Sequence, residues 1–156
     1  MKKLRIGILC PNLNKLENWE CRIFHEINKS DWGEIVVLIK DQRKKVITLE
    51  NIINRILLKI VAIIENKIIK LKFKKRFFFD RKNKLKVIKK LKKTREIYFT
   101  PSEEGKYVDY FSEANCKEIK NLKLDVLLRH EFRIIKGKIL NIPKYGIWSF
   151  HHGDND

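Results

Sequence analysis

Residues 34–40 contain Ile35-Val36-Val37-Leu38-Ile39, an unbroken apolar run rich in β-branched side chains. A strand of that kind is stable when both faces of its sheet are covered, as in parallel sheets flanked by helices. Residues 4–10 form a similar run around Gly7 and read as a first buried strand. Between the two, Trp19, Ile23, Phe24 and Ile27 recur at helical spacing after a polar start at 14–18 and before a polar stop at 28–30. Strand, helix and strand in succession make a βαβ unit, whose crossover commits the two strands to a parallel sheet. The expected fold class is therefore α/β, a doubly wound, mostly parallel, Rossmann-like sheet.

Downstream the period changes. Over 48–73, Leu49, Ile52, Ile53, Ile56, Ile60 and Ile64 fall at helical steps between charged residues, which predicts a long amphipathic helix. A weaker helical stretch follows over 83–93, then a strand over 96–100 before the turn at Pro101. The last third predicts a short helix at 116–121 and a buried strand at 124–129 entered through Asp125. After these come a short helix at 134–140, ended by Pro143, and a strand at 146–151. One domain spans the 156 residues, with about 41–95 inserted as a basic helical segment. A sheet that stops after its fifth strand or so leaves apolar surface uncovered, so the domain is expected to be truncated at its carboxyl end.

The net charge is +17, and where it sits matters more than its size. Between Lys40 and Arg95 stand 21 Lys and Arg against 4 Asp and Glu, while the rest of the chain holds 15 of each and cancels. With Phe73, Phe77, Phe78 and Phe79 among its lysines, residues 48–95 have the composition to follow phosphates on nucleic acid or an anionic membrane surface. That makes a second, non-catalytic reading of the chain. Lys outnumbers Arg 27 to 9, however, and planar phosphate or base recognition favours Arg, so solvated lysine faces account for the same composition. No apolar run approaches the ~18 residues of a membrane-spanning helix, and Arg5 interrupts the one stretch that looks like a leader. Cys10, Cys21 and Cys116 are an odd number without a Cys-x-x-Cys, which fits a reduced, cytoplasmic chain better than a disulfide framework. Gly7 stands alone, so a G-x-G-x-x-G phosphate loop is excluded.

Chemistry concentrates at the end of the last predicted strand, where His151 and His152 are followed by Asp154. In open α/β sheets the carboxyl edge is where ligands bind. Adjacent strand residues point to opposite faces, so only one of the two imidazoles serves a given pocket. A histidine there suits general base work near neutral pH; the competing assignment is a polar loop. His151, His152 and Asp154 lack a fourth ligand at a convincing spacing, so no metal site is expected.

The stretch 124–129, followed by Ile134-Ile135-Lys136-Gly137-Lys138-Ile139-Leu140-Asn141-Ile142-Pro143-Lys144-Tyr145-Gly146-Ile147-Trp148-Ser149-Phe150-His151, resembles the amino-terminal domain of folate-dependent formyltransferases. The resemblance covers 124–155 well and 4–40 loosely, and leaves the basic middle unmatched. It implies transfer of a formyl group from 10-formyltetrahydrofolate to a primary amine of an unspecified acceptor, small molecule or tRNA. The family ends its strand with Asn-x-His and uses a later Asp. His151 stands at the His position, and Ser149 replaces the Asn, so one hydroxyl takes over the oxyanion contact from an amide. The family's Asp falls beyond residue 156, with Asp154 the nearest stand-in. By position, Arg129, His130, Glu131 and Phe132 shape the folate pocket, although His130 and Glu131 are equally placed as solvent-facing loop residues.

Overall fold

The computed structural model describes residues 2–10, 12–13, 16–43, 81–105, 107–130 and 132–150, together with positions 56, 58, 60, 61, 63 and 64. Eight strands are seen among these residues: β1 (Leu4–Leu9), β2 (Gly33–Asp41), β3 (Arg95–Phe99), β4 (Ser102–Glu104), β5 (Val108–Tyr110), β6 (Val126–Arg129), β7 (Ile134–Lys136) and β8 (Ile147–Ser149). Helices α1 (Asn18–Lys29), α2 (Arg81–Leu91) and α3 (Glu113–Asn121) alternate with them, and a short 3-10 helix covers Lys138–Asn141.

Five strands form one sheet in the order β3-β2-β1-β6-β8, and every neighbouring pair in it is parallel. The chain steps outward from β1 to β2 and β3, then returns to the other side of β1 for β6 and β8. That reversal opens a crevice at the carboxyl ends of β1 and β6. The alternation of strand side chains separates two cores. Ile6, Ile8, Leu38, Val126 and Leu128 face α1 and α2, burying Phe24, Ile27, Val87 and Leu91. Leu9, Val37, Ile39 and Leu127 face the opposite way, onto Cys116 and Ile119 of α3 and onto Ile139. Gly7 belongs to this second face: a Cβ there would come within 2.7 Å of Leu124 Cδ1 and 2.9 Å of Leu127 Cδ1, so the glycine serves close packing.

Each helix is placed by local chemistry. A reciprocal capping box starts α1, with the Glu17 N–H donating to Glu20 Oε2 at 2.6 Å. At its other end Ser30 Oγ donates to Ile27 O at 2.8 Å and accepts from Gly33 N at 3.2 Å, linking the helix end to the first residue of β2. Ser112 Oγ accepts from Asn115 N to open α3. Asp125 locks the start of β6 to β1, accepting from Arg5 N at 2.8 Å and returning its own N–H to Arg5 O.

Between β2 and β3 the chain runs through the basic region, and α2 is the described part of its end. It lies against α1, with Lys84 Nζ donating to Leu16 O and Lys90 Nζ to Asn28 O, so these lysines join the fold. The six described positions within 56–64 are helical and exposed; the remainder of the helix expected over 48–73, and most of the segment 48–95, lie outside the described residues.

One expected element is different. The stretch 134–140 is β7 followed by the 3-10 turn, because Gly137 between them takes φ 87° and halts any α-helix. β7 pairs in parallel with β5, and β5 runs antiparallel to β4, giving a second, three-stranded sheet that the sequence did not suggest. A buried ion network fastens this sheet to the end of β2. Arg43 reaches Asp109 at 2.5 and 2.9 Å, Asp41 at 2.5 Å and Glu103 at 3.1 Å, and Asp109 is fully buried.

Candidate functional site at the carboxyl edge

Arg129 sits at the centre of the crevice edge, paired through its Cα with Leu9 of β1 on one side and Ser149 of β8 on the other. Its guanidinium donates to Arg133 O at 2.9 Å, which tightens the loop that follows β6. The next residue, His130, donates its backbone N–H to Leu9 O at 2.9 Å and so continues the line of the sheet.

The His130 side chain is buried, which overturns its placement on a solvent-facing loop. Its Nδ1 lies 2.7 Å from Glu20 Oε1, and Glu20 is itself buried on the inner face of α1. Burial pushes the Glu20 carboxyl up, but hydrogen bonds from His130 and from the Glu17 N–H, joined by the electrostatic attraction of His130 and then of Lys84, outweigh it and hold the group below the usual carboxylate range. An ionised carboxylate only accepts, so His130 Nδ1 is the donor in this contact. The opposite nitrogen, Nε2, is buried and has no hydrogen-bond partner among the described residues. Leaving such a group unsatisfied costs about 1–3 kcal/mol.

Aromatic rings surround the imidazole. Phe24 meets it edge-on at 5.2 Å between centroids, Trp19 lies at 5.8 Å and Phe150 at 5.9 Å. Trp19 and Phe150 also touch each other at 5.4 Å. Trp19, His130 and Phe150, with Glu17, Glu20, Arg129 and Phe132, line a cavity of about 290 Å³ whose walls are partly aromatic and partly charged. A larger apolar groove of about 500 Å³ begins on the other side of Trp19 and Phe150, over Val126 and Leu128, with Trp32 and Trp148 on its walls.

Of the residues expected from sequence to shape a folate pocket, Arg129, His130 and Phe132 therefore share one cavity. Phe132 is divided between two roles, since it also stacks on Phe111 at 6.0 Å within the core. Ser149 is exposed at the end of the edge strand β8. Glu131, His151, His152 and Asp154 lie outside the described residues. No group of three metal-ligand side chains occurs among the described residues, and no helix among them is long and apolar enough to cross a membrane. All three cysteines are buried, and none of them forms a disulfide.

Sequence reasoning missed Glu20. The signal was present, because position 20 falls on the same helical face as Phe24 and Ile27, and a carboxylate on an apolar face requires a buried partner. Compared with protein-family models, with curated proteins and with solved structures, the chain matches none.

Proposed function

We propose that the chain is a formyltransferase-like domain that moves a formyl group from 10-formyltetrahydrofolate to a primary amine. One observation carries the reading: Ser149 pairs with Arg129, so the strand leading into His151 ends beside the strand leading into His130, at the carboxyl edge of a parallel sheet. In this reading the sheet is Rossmann-like and the basic stretch at about 41–95 is an enlarged connection from β2 to β3.

The chemistry follows from residue types. The amine attacks the formyl carbon, His151 takes the proton released as nitrogen acquires its fourth bond, and the Ser149 hydroxyl donates to the oxygen that gains negative charge. As the tetrahedral intermediate collapses, the C–N bond to the folate breaks and His151 returns its proton to the departing nitrogen, so tetrahydrofolate leaves and the formamide remains. The cavity lined by Arg129, His130 and Phe132 suits one fused ring of the cofactor, with Trp19, Phe132 and Phe150 to stack on it and Glu17, Glu20 and Arg129 as polar walls. The rest of a folate exceeds its volume and belongs over the open edge.

Hydrogen exchange on the full chain with 10-formyltetrahydrofolate tests the reading. Saturable slowing at the ends of β6 and β8 is expected, together with loss of amine formylation in His151→Ala. A parent protein whose exchange is unchanged by the cofactor removes the proposal, and His151→Ala formylating at the parent rate removes His151 from it.

A further inference from the structure

All six described positions within 56–64 are helical, apolar and exposed: Ile56, Leu58, Ile60, Val61, Ile63 and Ile64 keep between 50% and 67% of their surface open. One exposed isoleucine is ordinary, whereas six aliphatic side chains on so short a stretch mark a surface that meets something apolar. Ile56, Ile60, Ile63 and Ile64 follow one another at steps that keep them on one stripe of a helix. Around them the sequence is basic, with Arg55, Lys59, Lys67 and Lys70 against a single acidic residue, Glu65. α2 repeats the combination. Val87 and Leu91 take its inner side, and its exposed side chains include Lys82, Lys86 and Lys89 with Leu85 among them, on a helix whose sequence holds no carboxylate.

From this juxtaposition we infer that the connection between β2 and β3 docks on the surface of an anionic lipid bilayer, with the isoleucine stripe within 56–64 at the boundary of headgroups and acyl chains. Charge complementarity selects the lipid. Between Lys40 and Arg95 stand 21 basic residues against 4 acidic ones, and an anionic leaflet attracts such a segment over a Debye length. Burial of the aliphatic stripe then holds what the charge has drawn in, which is the way amphipathic helices lie in a membrane interface. Spanning is a different matter, since no helix among the described residues is long and apolar enough to cross. Nucleic acid offers the same phosphate charge but nothing to an isoleucine, because its bases are held by aromatic stacking and hydrogen bonds. The excess of Lys over Arg points the same way: attraction to a fluid anionic surface asks for charge, not for a planar fork.

Membrane docking is independent of formyl transfer: vesicle binding is read without folate or amine, and either can fail alone. The test sediments the full chain with vesicles of phosphatidylcholine, alone or with about 30% phosphatidylglycerol. Binding to the anionic vesicles is expected to be at least about tenfold tighter than to the neutral ones and to weaken as sodium chloride is raised. Combining Ile56→Ser, Ile60→Ser and Ile64→Ser is expected to weaken it about tenfold with an unchanged urea midpoint, because these side chains are exposed. A polarity-sensitive dye on Ile60→Cys, the native cysteines being buried, is expected to brighten with anionic vesicles and reads the stripe directly even if the serine variant fails to fold. No binding to anionic vesicles overturns the inference, as does binding indifferent to salt. A dye that stays dark while the protein sediments overturns it too, since charge alone would then hold the chain. So does a dye already shielded without lipid, which gives the stripe to this chain's own body or to a second copy, and so does tight binding of polyuridine RNA in the absence of vesicle binding.

Discussion

Glu20 is the residue on which the crevice edge depends, because it caps α1 and fixes His130 with the same carboxylate. Its folded pKa is held below the ordinary carboxyl value of 4.5, so protons bind it more readily in the unfolded chain. The stability it contributes is therefore complete above that ordinary value and disappears as pH falls through the lower, folded one. Urea midpoints measured from neutral pH down into the acid range should show a steeper acid loss for the parent than for Glu20→Gln, with the two curves converging in strong acid. Parallel curves would mean that the carboxylate is no better stabilised in the fold than in the unfolded chain. At this scale the sequence showed half of the pair. His130 stood out by its place after a buried strand, whereas Glu20 was hidden among helix residues, and their meeting depends on α1 crossing to β6, which no local spacing encodes. The exposed Ser149 and the core-stacked Phe132 show the converse: position along the chain put both near the edge but said nothing about which way each faces.

At the scale of elements, the clear signals were those of strands buried on both faces. β1, β2 and β6 read from sequence almost to their ends, since continuous apolar runs have one stable environment. The second sheet was illegible for a physical reason. β4 and β5 have three residues each, too short for an alternation to register, and β4 is fully exposed. Charge holds them instead. Arg43, whose guanidinium is held further into its charged form by Asp109 and then Asp41, is the tie between β2 and β5. Arg43→Met leaves the Asp109 carboxylate without its countercharge in a fully buried position, and should cost about 3–5 kcal/mol in urea denaturation. Adding Asp109→Leu to that variant should recover much of the loss, because the one fully buried carboxylate of the network is then gone and Asp41 and Glu103 are more exposed. A double variant as unstable as Arg43→Met would show that packing around the guanidinium stem, and not the unpaired carboxylate, sets the penalty.

The molecule as a whole combines an α/β body whose charges cancel with a strongly basic connection, and α2 is where the two meet. Its apolar side, Val87 and Leu91, seals the core under α1, while Arg81, Lys82, Lys84, Lys86, Lys89 and Lys90 share a helix without a single acidic residue. Lys82, Lys86 and Lys90 repeat at four-residue intervals, the spacing at which like charges repel by a few tenths of a kcal/mol per pair. Carbonyls of Leu16 and Asn28 anchor Lys84 and Lys90 but supply no negative charge. Against this stand exposed or half-exposed pairs such as Arg5 with Glu34, worth little in water, and the Arg43–Asp109 network, which burial shields from salt. Repulsion is thus the main salt-sensitive contribution, and a net charge of +17 works against compactness at low ionic strength. Raising sodium chloride from about 0.01 M to about 0.15 M shortens the screening length from about 30 Å to about 8 Å and should raise Tm by several degrees. Choline chloride should do the same at equal ionic strength, since screening ignores ion identity. A Tm that falls with salt would mean that the surface pairs outweigh the lysine repulsion. A rise seen with phosphate but not with chloride would point to a discrete anion site on the basic connection, and diffuse repulsion would then be the wrong account of how this charge acts on the fold.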